Sequence, residues 1–250
     1  MKEFLEENIS IRTNDADFNN RVKVNSIFIF LQDIAAEHAN KLHLGYDDLI
    51  KKELGWVLSW IRVEIDEYPK FTDNIKVKTW PKCKYKLFYI RDFLIYNENN
   101  KAIIKASTAW LPVNIKTKRI IDLQSAGINI PYEKEENALT VYPEKIIFNK
   151  ESKIIESKIF KYSDLDLNQH VNNTKYVEMI LDCFSKDFHS AHVIKNITVS
   201  FQAESFYGDE VEISISNQSS TEMINIVEAK NKISWKTVFQ SIVEWSKIYI

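Results

Sequence analysis

Between Val24 and His38 the apolar positions fall three and four residues apart: Val24, Ile27, Phe28, Leu31, Ile34 and Ala35, with His38 on the same stripe. That spacing predicts a helix of roughly five turns with one buried face. Ahead of it, residues 8–13 alternate as a half-buried strand does, and the polar run Asn14–Val22 reads as a turn. Gly45 is a plausible helix stop, and Asp47–Lys52 a short second helix. Strand patterns follow at 56–65, 75–80, 86–96 and 102–114, punctuated by Pro69, Asp73-Asn74, Glu98–Lys101 and the basic turn Lys116–Arg119. Residues 124–145, with Gly127, Pro131 and Pro143, break the pattern. The second half repeats the order: a strand at 153–162, a polar turn at 164–173, and a stripe of Tyr176, Val177, Ile180, Leu181 and Phe184. Strands at 194–201, 211–216, 223–229 and 235–249 complete it.

The halves share residues as well as order. Asp15–Val22 lies over Asp164–Val171, with Asp15/Asp164, Asp17/Asp166, Asn19/Asn168 and Val22/Val171 identical. Ile61, Val63, Asp73, Ile75 and Val77 lie over Ile197, Val199, Asp209, Val211 and Ile213. This is an internal duplication of a helix followed by an antiparallel sheet, an α+β unit whose sheet wraps its helix. The expected division is 1–130 for the first unit, 131–145 for a linker and 146–250 for the second.

The copies differ where chemistry would sit. Arg21 stands in the place of His170, and Tyr68 in that of Glu204. In the second turn Asp166, Asn168 and His170 are spaced i, i+2, i+4. In an extended segment that spacing puts carboxylate, amide and imidazole on one side, a set suited to orienting a reactant and moving a proton. The structural alternative is an Asp/Asn-rich turn capping the next helix. Asp164 and Asn173 fit that role best, and Asn172 fits cap or site equally. His189 and His192 lack the further ligands a metal pair needs, and fit solvated histidines better.

Composition narrows the class. An apolar share of 45%, a charged share of 27% and a net charge of −2 describe a globular chain with no global pull towards nucleic acid or anionic membrane. Cys83 and Cys183 form no CxxC pair, and the four glycines build no phosphate loop. The acidic start and the lack of a spanning apolar run lead to an expected cytoplasmic location.

The second turn, Asp164 to Tyr176, closely resembles the active-site segment of acyl-ACP thioesterases of plant plastids and bacteria. Leu31–Ala35, Trp56–Trp60, Asp66–Pro69, Thr79-Trp80, Arg91–Phe93 and Ala106–Trp110 carry the likeness through the first half. The resemblance implies a tandem hotdog fold and hydrolysis of fatty acyl-ACP thioesters. Its catalytic Asp, Asn, His and Glu fall on Asp166, Asn168, His170 and Glu204. Plant members carry a Cys after that Glu; here Ser205 stands there, which weakens any thiolate mechanism.

The mechanism expected is attack by water, with Glu204 as base directly or through His170, Asn168 holding water or carbonyl, and Asp166 orienting His170. Backbone N–H groups of Val171, Asn172 and Asn173 at the helix start are the expected oxyanion donors. Trp56 and Trp60, with Tyr85 and Phe88, are expected along the acyl pocket in the first unit. The expected partner is acyl carrier protein bearing an acyl-phosphopantetheine, with Lys82, Lys84, Lys86, Lys116, Lys118 and Arg119 as its docking face. No cofactor, metal, nucleic acid or membrane is expected, and a homodimer is left open. Two rival functions remain: an acyl-CoA thioesterase or related hotdog enzyme, and a non-catalytic sensor of acyl thioesters.

Overall fold

The computed structural model describes residues 3–132, 136–147, 152–217 and 223–248. The chain divides into two compact units, Met1–Pro143 and Glu144–Ile250.

The first unit contains β1 (Leu5–Ser10), α1 (Val24–Lys41), α2 (Tyr46–Ile50), β2 (Leu54–Ile65), β3 (Asn74–Tyr85), β4 (Phe88–Tyr96) and β5 (Ala102–Asn114). Its strands are antiparallel in the order β1-β3-β4-β5-β2. The stripe predicted on α1 is its buried face, from Val24 to His38. The helix stops at Leu42, and His43 takes the left-handed conformation (φ 57°) expected of Gly45. Gly45 instead leads into α2, where a Cβ would stand 1.6 Å from the Asn40 Oδ1 atom.

Arg91 on β4 meets His38 of α1 at 3.0 Å, so its neighbour Asp92 points to the opposite face of the sheet. There Asp92 is fully buried and pairs with buried Lys82 at 3.1 Å. The Ala138 N–H donates to the Asp92 carboxylate at 2.8 Å, and Lys82 donates to the Leu139 carbonyl. The Trp80 indole donates to the Glu136 carbonyl at 3.2 Å, and Tyr85 stacks on Tyr142. Residues 136–142, within the stretch expected to be a linker, are thus a strap pinned to β3 and β4. Two buried charges are tolerable there because each neutralises the other and both find further hydrogen bonds.

The second unit contains β6 (Lys153–Ile159), α3 (Asn173–Asp182), α4 (Lys186–Ala191), β7 (His192–Phe201), β8 (Glu210–Asn217), β9 (Ile224–Asn231) and β10 (Thr237–Lys247). Its antiparallel order, β6-β8-β9-β10-β7, is that of the first unit strand for strand. Tyr176, Val177 and Ile180 of α3 are buried, and Tyr176 packs on Phe160, Phe201 and Phe239. Each unit is therefore a helix on a five-stranded sheet, the hotdog arrangement twice in one chain. The helices differ in length, 18 residues in α1 against 10 in α3. α4, which the apolar pattern did not reveal, occupies the chain after the shorter helix. Among the described residues no helix is long and apolar enough to cross a membrane.

Candidate active site

The polar turn of the second unit is built by its own acids. Tyr162–Asp164 forms a 3-10 turn, closed by the Lys161 N–H donating to the Asp164 carboxylate at 2.8 Å. Asp166 Oδ1 accepts the backbone N–H groups of Asn168 (2.8 Å) and His170 (3.1 Å). The Asp166 N–H in turn donates to the His170 carbonyl at 2.7 Å. Gln169 takes a left-handed conformation (φ 63°) at the tip. The segment is thus a tight turn rather than extended, and the i, i+2, i+4 spacing does not align three side chains. Asp166 orients His170 through the backbone and not through the imidazole. Asn168 lies exposed, and its amide has no partner among the described residues.

The Val171 N–H donates to the Ser205 carbonyl at 2.9 Å, which ties this turn to the segment after β7. That tie brings His170 Nδ1 within 3.6 Å of a Glu204 carboxylate oxygen. The gap suits an ion pair and exceeds a hydrogen bond. The two side chains are 25% and 36% exposed, so water reaches both. The edge of the Phe206 ring meets the imidazole, with centroids 5.0 Å apart; an aromatic beside Glu204 carried no sequence signal that marked it. Ser205 is fully buried, so its hydroxyl does not face a reactant. Burial pushes both thiols up, Cys183 to about 12, which leaves neither as a ready thiolate.

The start of α3 supplies fewer free donors than expected. The Val171 N–H is committed to Ser205, and the Asn172 N–H donates to the Asp164 carbonyl at 2.8 Å. The Asn172 side chain is the N-cap: its Oδ1 accepts from the Thr174 N–H (2.9 Å) and hydroxyl (2.8 Å). Of the three expected oxyanion donors, only the Asn173 N–H, at the first helical position, is uncommitted among the described residues.

Family models of the acyl-ACP thioesterase N-terminal and C-terminal domains match residues 2–129 and 148–247. The chain belongs to the acyl-ACP thioesterase family. It is 26% identical over 211 residues to a chloroplastic palmitoyl-acyl carrier protein thioesterase of Gossypium hirsutum, covering 79% of this chain and 51% of that protein. To the chloroplastic oleoyl-acyl carrier protein thioesterase 2 of Arabidopsis thaliana it is 24% identical over 248 residues, covering 90% and 66%. The chain spans about half the length of the first of these relatives. A crystal structure of an acyl-ACP thioesterase from Bacteroides thetaiotaomicron superposes with a TM-score of 0.89 at 28% identity, over 98% of both chains. The 12:0-ACP thioesterase of Umbellularia californica shares the fold, with a TM-score of 0.87 at 18% identity over 99% of each.

Other residues singled out in this acyl-ACP thioesterase family member fall in varied places. Trp56 and Trp60 share a parity on β2, but a bulge between Leu58 and Trp60 turns them to different faces. Trp56 packs with Leu44, Leu49 and Tyr89 and donates to the Leu44 carbonyl at 3.0 Å. Trp60 is buried with Ile90 and Ala109, near Tyr85, Phe88 and Tyr142. The two do not line one surface together. Lys82 is lost to any docking face by its buried pairing with Asp92. Lys84 pairs with Asp122 and Lys116 with Glu53. His189 and His192 are not simply solvated: each ring nitrogen lies 3.0 Å from a carbonyl, of Leu181 and Phe188 respectively. Among the described residues no group of side chains could hold a metal ion.

Proposed function

We propose that this chain hydrolyses fatty acyl-ACP thioesters to free fatty acid and acyl carrier protein, at the His170–Glu204 pair. The approach of the two side chains to 3.6 Å, in the copy whose turn is otherwise that of the first unit, supports this above all else. A thioester is already activated, so one oriented water suffices. Water oxygen attacks the carbonyl carbon while its proton passes to Glu204, directly or through His170. The C–S bond then breaks, and the departing phosphopantetheine sulfur takes that proton. The Asn173 N–H and the positive end of α3 stabilise the oxyanion; one such donor is worth about 10²–10³ in rate in other enzymes. Asn168, exposed beside the turn, is the proposed holder of water or carbonyl. Val171 and Asn172 serve by holding the turn and the helix start. Trp56, on the helix side of β2, is the proposed wall of the acyl pocket, and Trp60 supports it from the other face. The proposed location is the cytoplasm.

The test is release of free fatty acid from a mixed acyl-ACP pool, against acyl-CoA of matched chain length. Turnover of acyl-ACP at the higher kcat/KM is expected. Preference for acyl-CoA would replace the substrate assignment, and binding of both without turnover would make the chain a sensor.

A further inference from the structure

Four large apolar side chains stand in solvent on the loops that carry the His170–Glu204 pair and on the turn bonded to them. They are Tyr162, Leu167, Phe206 and Tyr207, exposed from 47% at Phe206 to 84% at Tyr162. Single exposed side chains of this kind are ordinary, but a gathered set marks a contact surface. Backbone bonds do the gathering. The Phe160 N–H donates to the Asp209 carbonyl and the Gly208 N–H to the Phe160 carbonyl, both at 3.0 Å. The Asn172 N–H fastens the 162–164 turn through the Asp164 carbonyl, and the Val171 N–H fastens Ser205. Leu167 sits in the turn that the Asp166 N–H closes on the His170 carbonyl. Three short loops are thus bound side by side, and two of them carry His170 and Glu204.

The first unit shows that the loops do not need this set in order to fold. The same bonds close them there: Ile11 N–H to Asp73 carbonyl at 2.9 Å, Thr72 N–H to Ile11 carbonyl at 3.1 Å, and Val22 N–H to Pro69 carbonyl at 2.8 Å. Phe18 and Phe71 hold the places of Leu167 and Tyr207, but Thr13 holds that of Tyr162 and Lys70 that of Phe206. The full set of four therefore belongs to the copy that has His170 and Glu204. Phe206 fixes where it lies, because its ring edge meets the imidazole while nearly half of the residue stays exposed.

A thioester has two ends to place. With its carbonyl at His170 and Glu204, the fatty tail gains by leaving water, which an exposed rim does not offer. The other end begins at the sulfur, one bond from the carbonyl. It is a chain of methylenes, a dimethyl carbon and two amides, and it runs out on the open side to its carrier. Exposed rings suit that chain. They cover its carbon groups, while the phenol hydroxyls of Tyr162 and Tyr207 and the chain's own amides stay wet.

We propose that Tyr162, Leu167, Phe206 and Tyr207 form a collar that receives the phosphopantetheine arm of the carrier. This rests on the function proposed above. The test compares one acyl group as the thioester of acyl carrier protein, of pantetheine and of N-acetylcysteamine, a thiol that stops after the first amide. In the double variant Leu167→Ser/Tyr207→Ser, kcat/KM on acyl-ACP and on acyl-pantetheine should fall about tenfold, mostly through KM, because apolar contact with the arm is lost. The loss on the N-acetylcysteamine thioester should be at least about threefold smaller. Tyr162→Ser, at a position where the first copy folds with Thr13, is the second variant and should show the same order more weakly. Unchanged kinetics in both variants overturns the proposal. So does an equal loss on all three thioesters, which would place these side chains against the tail or the reacting atoms. A loss confined to acyl-ACP also overturns it, since the collar would then meet the carrier's protein surface and not its arm. A dimer of the parent chain that the double variant abolishes would make the collar a contact between copies instead. Failure of the parent chain to hydrolyse any of the three thioesters would sink the proposed function itself.

Discussion

In both copies of the repeat a carboxylate holds its own turn. Asp17 Oδ1 accepts the N–H groups of Asn19 (2.8 Å) and Arg21 (2.9 Å), as Asp166 Oδ1 accepts those of Asn168 and His170. Asn20 and Gln169 take the same left-handed conformation (φ 59° and 63°), and Asp15 and Asp164 close the same 3-10 turn. What differs is where the next side chain goes. Arg21 folds back onto Asp17 at 3.5 Å, whereas His170 reaches out to Glu204 at 3.6 Å. The shared Asp therefore serves the backbone first, and under the proposed function the capacity for chemistry enters with His170 and Glu204. On that proposal, the turn that the first copy builds without His or Glu serves in the second as the mount for a reacting group.

The sharpest way to break this contrast is to replace its proposed reacting members. Glu204→Gln and His170→Ala should each lower kcat on acyl-ACP by about 10²–10⁴, the usual worth of a positioned acid or base. Arg21→Ala should leave kcat within about twofold, since its side chain pairs within its own turn. Single-turnover rates on the three folded variants check this. A collapse in Arg21→Ala would bring the first turn into the chemistry, and near-normal rates in Glu204→Gln would remove the base.

A smaller effect is expected where the copies agree. Asp17→Ala and Asp166→Ala each strip the acceptor from two turn N–H groups, and both should cost about 1–2 kcal/mol of stability. Only Asp166→Ala should also reduce kcat, because it releases the backbone of His170. Denaturant midpoints measured beside kcat separate the two. Equal kcat in both variants would show that the turn does not aim His170.

The sequence made some of this legible and hid the rest for physical reasons. The α1 stripe and the duplicated Asp-x-Asp-x-Asn turn are local patterns, so periodicity and self-comparison reveal them. The commitments of Val171 and Asn172 depend on carbonyls of Ser205 and Asp164, and no spacing rule names an acceptor that arrives by tertiary pairing. Lys82, Lys84 and Lys86 read as one basic face. Irregular pairing between Pro81 and Cys83 and the strap at 136–142 instead bury Lys82 against Asp92. The bulge in β2 likewise parts Trp56 from Trp60, which strict alternation would keep together. Each of these cases turns on one residue out of register, where a period-two pattern fails without trace.

The smallest predicted effect concerns Ser205, the position at which plant relatives were expected to differ by a Cys. Its side chain is fully buried, and its hydroxyl lies by the Tyr176 phenol rather than facing outward with Glu204. A nucleophile needs both a path to the carbonyl and a base to take its proton, and a hydroxyl with no exposure lacks the first. Ser205→Ala keeps the N–H and carbonyl that tie Glu204 to the His170 turn, and removes only the hydroxyl. Its kcat should therefore fall by no more than about threefold, far short of the loss that follows removal of a true nucleophile. A burst of acyl-enzyme in the parent chain, absent in Ser205→Ala, would reverse this. It would mean that the segment after β7 opens during turnover and exposes a residue that its counterpart, Pro69, could never supply as a nucleophile.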